Sequence, residues 1–104
     1  MPRVARKKSE SGIYHVLLRG KNGQDIFRDD EDNARFLDTL YLCKEKSGID
    51  VYGWCLMRNH VHLLIKEGSE NLSNTIKRLT VSYVWYYNSK YQSKGPVFHD
   101  RFKK

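Results

Sequence analysis

Met57-Arg58-Asn59-His60-Val61-His62-Leu63-Leu64-Ile65-Lys66-Glu67 reads as a tight turn running into a β-strand. Apolar and β-branched residues dominate after Asn59, interrupted only by the two histidines. Side chains on a strand alternate between faces, so His60 and His62 project together and Val61, Leu63 and Ile65 form an apolar opposite face. Two imidazoles side by side at the mouth of a strand can chelate one divalent ion. The same spacing also suits a half-buried strand with two hydrogen-bonded histidines, and taken alone it favours that plainer arrangement.

Working outward, Ile49–Met57 forms a preceding strand, joined through Arg58-Asn59 as a hairpin. Tyr52 and Trp54 alternate along it with Val51 and Cys55, and the pattern leaves open whether they fill the core or stack on bases. Upstream, Asp29 to Asp32 places carboxylates at the positive end of a helix. Phe36, Leu37, Leu40 and Tyr41 continue it at helical spacing, and Gly48 ends it. Helix-start carboxylates explain this acidic cluster better than a metal site does. Before it, Gly12–Gly20 is a strand with Tyr14, Val16 and Leu18 on one face, and His15, Leu17 and Arg19 on the other. Lys21–Gln24 has the composition of a loop. Downstream, Leu72, Ile76, Leu79, Tyr83 and Tyr86 or Tyr87 recur at helical spacing to about Tyr91. Gln92–Pro96 breaks that helix, and Val97–Phe102 begins a last strand.

The order β-α-β-β-α-β predicts an α+β, ferredoxin-like domain: an antiparallel sheet with both helices on one face. His60, His62, His15 and Arg19 then share the opposite face, uncovered by the other elements. A chain of 104 residues with 39% hydrophobic and 12% aromatic content suits one folded domain rather than a disordered segment. We divide it into a basic N-terminal arm, residues 1–11, and a domain spanning 12–104. A net charge of +7 points to a polyanionic partner such as nucleic acid. No apolar run has membrane-spanning length and no signal peptide is evident, so no membrane partner is expected. Cys43 and Cys55 form no paired-cysteine motif, which fits a reducing, cytoplasmic setting.

Three blocks together resemble a known family. The first is Gly12-Ile13-Tyr14-His15-Val16 with Arg19-Gly20 and Gln24-Asp25-Ile26-Phe27; the second is Trp54 to Leu63, carrying His60-Val61-His62. The third is Gly95-Pro96-Val97-Phe98 with Arg101-Phe102-Lys103. In this order they resemble the single-tyrosine HUH transposases, those of simple insertion sequences and the REP-associated enzymes. The resemblance implies a DNA transposase domain, associated with the nucleoid, that binds single-stranded, hairpin-bearing DNA. It implies that His60 and His62 are catalytic, holding a Mg²⁺ or Mn²⁺ ion that polarises the scissile phosphate. A tyrosine then attacks phosphorus to form a 5′-phosphotyrosine link. The family's tyrosine lies on a helix after the segment matching Gly95–Lys103, so we expect the nucleophile beyond Lys104 and the present chain to be a fragment. Tyr83, Tyr86, Tyr87 and Tyr91 crowd the second helix. Tyr83 and one of the 86/87 pair share its apolar stripe and are expected to serve the core. The helix lies opposite the histidines, which puts its hydroxyls out of reach as nucleophiles. Charge and position nominate Arg3, Arg6, Arg19, Lys21, Asn22, Arg101, Lys103 and Lys104 for DNA contact. The family includes dimers that share sites, so a homodimer is a further expectation. Three other readings compete: a catalytically dead DNA-binding remnant, a histidine-bearing structural domain with no ligand, and an RNA-recognition module, against which the lack of aromatics in His60–Lys66 argues.

Overall fold

The computed structural model describes residues 11–99. The basic arm and the candidate contacts Arg3, Arg6, Arg101, Lys103 and Lys104 lie outside the described residues. Three antiparallel strands, β1 (Ile13–Arg19), β2 (Asp50–Met57) and β3 (His60–Lys66), form a sheet in the order β1-β3-β2. Helix α1 (Asp30–Ser47) connects β1 to β2, and α2 (Leu72–Tyr91) follows β3. The expected last strand is reduced, among the described residues, to one antiparallel bridge between Phe98 and Gly20. Its expected continuation through residues 100–102 lies outside them.

β3 is the central strand. It pairs Val16 with Leu63 and Leu18 with Val61 on one side, and Leu56 with Val61 and Val51 with Ile65 on the other. Cross-strand partners share a face, so Val16, Leu18, Val61, Leu63 and Ile65 make one apolar layer, and all five are buried. Against it pack Phe36 and Leu40 of α1 and Ile76, Leu79, Tyr83 and Tyr87 of α2, in one continuous core. Both helices therefore cover the same face, as the sequence pattern requires. A bulge between Val51 and Gly53 shifts the register of β2. Trp54 pairs with Leu63 on the helix side yet remains 55% exposed, because β2 is an edge strand. Tyr52, at the bulge, is also exposed.

The acidic start of α1 has a structural use. Asp29 caps the helix, its Oδ1 accepting from the Asp32 amide at 3.0 Å, and Gly48 ends it in the left-handed region at φ 76°. Asp32 is fully buried. It accepts hydrogen bonds from the Arg28 amide (2.9 Å), Tyr86 Oη (2.7 Å), Lys90 Nζ (3.0 Å) and Tyr91 Oη (2.5 Å). Lys90 also meets Asp29 and Glu31. The start of α1 is thereby tied to the end of α2. Burial alone would raise the Asp32 pKa, but bonds from Tyr91, Tyr86, the Arg28 amide and Lys90 outweigh it and hold the carboxyl at about 2.

Close approach of backbone dictates Gly68, where a Cβ would sit 2.3 Å from the Ser47 carbonyl oxygen, and Gly20. A Cβ on Gly20 would sit 2.1 Å from the Gln24 carbonyl oxygen, so the tight turn after β1 excludes any side chain there.

Two outcomes follow. Asp32→Asn, which removes the charge and half the acceptor capacity, is expected to cost about 3 kcal/mol in urea unfolding. A loss under about 0.5 kcal/mol would contradict the account. Because the native carboxyl titrates below the unfolded value of about 3.9, its stabilisation is present above about pH 4. The gap between wild type and variant should therefore narrow as pH falls towards about 2. Separately, Gly20→Ala should lower stability by about 2 kcal/mol through overpacking, read by thermal melting, and an unchanged melt would refute the close approach.

Candidate functional site

The alternation that buries Val61, Leu63 and Ile65 turns His60, His62 and Leu64 to the other side of the sheet. Register adds Arg19 opposite His60 and Leu17 opposite His62 from β1, with Met57 and Cys55 as their partners from β2. No helix covers this face among the described residues. At its upper end lies an open cleft of about 490 Å³.

Three chain segments build the cleft. β1 and the turn after it contribute Leu17, Arg19, Gly20, Asn22 and Gly23; the β2–β3 turn and β3 contribute Asn59, His60 and His62; the segment after α2 contributes His99. Backbone hydrogen bonds lock these segments together. Gly20 N–H donates to Asn59 O (2.8 Å), Ile26 N–H to Arg58 O (2.8 Å), Lys21 N–H to Val97 O (2.9 Å) and His99 N–H to Arg19 O (2.8 Å). Gln24 Nε2 also donates to Val97 O. The described parts of the three blocks of sequence singled out above thus converge on one place.

All four histidines of the chain gather here. His60, His62 and His99 line the cleft, and His15 touches His62. The rings of His60 and His62 have centroids 5.0 Å apart and planes nearly perpendicular, at 85°. Each uses its Nδ1 in a hydrogen-bond contact: His60 with Asn59 Oδ1 at 2.8 Å, His62 with His15 Nε2 at 2.9 Å. That arrangement leaves each Nε2 without a hydrogen-bond partner among the described residues, so the pair fits a two-imidazole metal site in the tautomers that carry the proton on Nδ1. No group of three or more His, Cys, Asp or Glu suited to a metal ion occurs among the described residues. Further positions around an ion at the pair would fall to oxygen from water or phosphate.

Of the residues nominated for DNA contact, Arg19 and Asn22 are exposed and line the cleft, while Lys21 stands half-buried in the same turn. Asn22 adopts a left-handed backbone at φ 56°, which Asn tolerates better than most residues. Asn59, Gly20, Gly23, Leu17 and His99 were not singled out as site residues from the sequence. Asn59 had a usable signal, since the residue before His60 is the last of the turn and must face the strand mouth.

None of the seven tyrosines lines the cleft. Those of α2 lie across the sheet and donate their hydroxyls structurally: Tyr83 to Ile26 O, Tyr87 to Asp25 O, Tyr86 and Tyr91 to Asp32. Burial, then the hydrogen bond to the Asp32 carboxylate, raises Tyr86 and Tyr91 to about 12, and burial raises Tyr83 further. Such phenols are poor nucleophiles.

No described helix is long and apolar enough to cross a membrane. Among curated proteins no relative matches the chain. Among solved structures, a candidate transposase from Deinococcus radiodurans R1 superposes with a TM-score of 0.71 at 16% identity, covering 97% of this chain and 82% of that one. A REP-associated tyrosine transposase bound to a REP hairpin also gives 0.71, at 13% identity over 99% of this chain; the match spans 60% of that protein. At these identities the likeness shows the shared α+β fold. A family model described as "Transposase IS200 like" matches residues 8–103, and with nearly the whole chain inside that match, the protein belongs to the IS200-like transposase family.

Proposed function

We propose that this chain is the DNA-handling domain of a transposase, binding single-stranded, hairpin-bearing DNA across its uncovered sheet face. The observation that carries this reading is the cleft itself, where two imidazoles, each engaged through Nδ1, stand beside an arginine and a glycine-containing turn. In the proposed arrangement His60 and His62 hold a Mn²⁺ or Mg²⁺ ion; imidazole ligands favour Mn²⁺ of the two. When bound, the ion would supply Lewis-acid polarisation of the scissile phosphate. Arg19 would pair with a flanking phosphate, and Asn22 would donate from its amide. Strand cleavage would use a tyrosine from outside the cleft described here. Its oxygen bonds to phosphorus as the bond to the 3′ oxygen breaks, so one phosphodiester linkage is exchanged for another without an energy source. The REP hairpin named for the structural neighbour supports a hairpin substrate.

An RNA-recognition reading finds little support. That fold presents aromatics from a basic-Gly-aromatic pattern on its third strand. Here β3 turns His60, His62, Leu64 and Lys66 to the uncovered face and carries no Phe, Tyr or Trp.

The test combines binding with a denaturing gel. Labelled hairpin-bearing single strands should bind, with affinity falling about 20-fold between 50 and 200 mM salt for three phosphate contacts. Arg19→Ala should flatten that dependence by about one contact, a slope change of about 0.7. Mn²⁺ should strengthen binding in wild type but not in His60→Ala or His62→Ala. The chain should form no covalent adduct through its own tyrosines. A Mn²⁺-dependent adduct lost in both histidine variants would overturn the assignment of the nucleophile, and salt-insensitive binding would overturn the DNA face.

A further inference from the structure

The two candidate ligands differ in how they are held, and each is held by a residue to which no role has been given. Resting on the reading of His60 and His62 as a metal-ligating pair, the geometry points to Asn59 and His15 as positioning residues. They select the ring nitrogen that each ligand presents.

For His60 the chemistry is one-sided. Asn59 Oδ1 is 2.8 Å from His60 Nδ1, while Asn59 Nδ2 faces the Gly23 carbonyl at 3.5 Å, which sets the amide orientation. A carbonyl oxygen only accepts, so His60 carries its proton on Nδ1 and its lone pair on Nε2. The ring is therefore ready for an ion at Nε2.

For His62 the partner is another imidazole, and direction matters. The His15 and His62 rings are parallel within 5°, with centroids 5.0 Å apart. Their near nitrogens, His15 Nε2 and His62 Nδ1, are only 2.9 Å apart. Parallel rings with so short an edge contact and so long a centroid separation lie almost in one plane, the direction in which a ring N–H points. Two proton arrangements are compatible with that contact. If His15 Nε2 donates, His62 Nδ1 holds the lone pair and neutral His62 carries its proton on Nε2, where it blocks an ion. If His62 Nδ1 donates, His15 accepts and His62 Nε2 is free. An ion at His62 Nε2 requires the second. His15, exposed on β1 and diagonal to His62 across the β1–β3 pairing, is thus the acceptor that keeps His62 in its ligating tautomer. With Asn59 doing the same for His60, both rings offer the same nitrogen. Outer partners of this kind are commonly worth 10- to 100-fold in metal affinity.

The experiment pairs two readouts on the same proteins. Long-range ¹H–¹⁵N correlation spectra of the metal-free chain report histidine tautomers directly, and electron paramagnetic resonance of free Mn²⁺ gives affinity. Wild type should show His60 and His62 protonated on Nδ1. His15→Phe keeps a flat ring but removes the acceptor, so His62 should move to the Nε2–H tautomer and Mn²⁺ affinity should fall about 10-fold or more. His15→Gln, whose amide oxygen accepts, should recover most of both. Asn59→Leu should act likewise on His60, with Asn59→Asp as its rescue. Unchanged tautomers or unchanged affinity in His15→Phe, with wild type binding Mn²⁺, would overturn the positioning role alone. Failure of wild type to bind Mn²⁺ would instead overturn the metal reading on which it rests.

Discussion

The pairing of β3 with both of its neighbours is the constraint on which the rest of the molecule depends. Because β3 is central, its backbone groups are satisfied on both edges, and only the side-chain alternation decides which residues meet the helices. Val61, Leu63 and Ile65 are completely buried. A slip by one residue would drive His60, His62 and Leu64 inward and those three apolar side chains outward, exchanging the two faces at once. The hydrophobic energy of the core therefore also orients the histidines. Packing and site geometry are set by the same registration.

The helices contribute by what they leave open. Both lie on the face that carries Val16, Leu18 and the inner side of β3, and their own junction joins the edge-on contact of Phe36 with Tyr83 to polar chemistry around Asp32. The tyrosines of α2 have their hydroxyls committed to that network or to the backbone at Asp25 and Ile26. They hold the scaffold on one side of the sheet while the histidines stand on the other. Scaffold and site are thus separated by the thickness of the sheet.

Much of this was legible in the sequence, for physical reasons that differ by element. Period-two alternation around His60 and the glycines bounding β1 specified the strands and their faces. Asp29, Gly48 and the spacing of Phe36 and Leu40 specified α1 to within a residue, because caps and apolar stripes are local signals. The bulge beside Tyr52 was not legible, since it depends on how an edge strand meets its partner; hence the face of Trp54 stayed open until the register was known. Of the expected last strand, the described residues show Phe98 making a single bridge to Gly20. Within the site, the histidine pair and Arg19 were readable by spacing, and His15 could be placed on the right face. Its contact with His62 was not, because that contact joins residues 47 apart in sequence. The cleft likewise needs His99 and the turn at Gly20, which only tertiary folding brings together.

The central claim is that the uncovered sheet face, rather than the acidic start of α1, is where this chain receives a divalent ion. Paramagnetic broadening tests it most directly: substoichiometric Mn²⁺ is added to the ¹⁵N-labelled chain and amide signals are followed residue by residue. The account predicts that signals of residues 59–63, 19–23, 15 and 99 broaden first, as a single cluster around the cleft. Broadening centred on residues 29–32, with the amides around His60 and His62 unaffected, would contradict it.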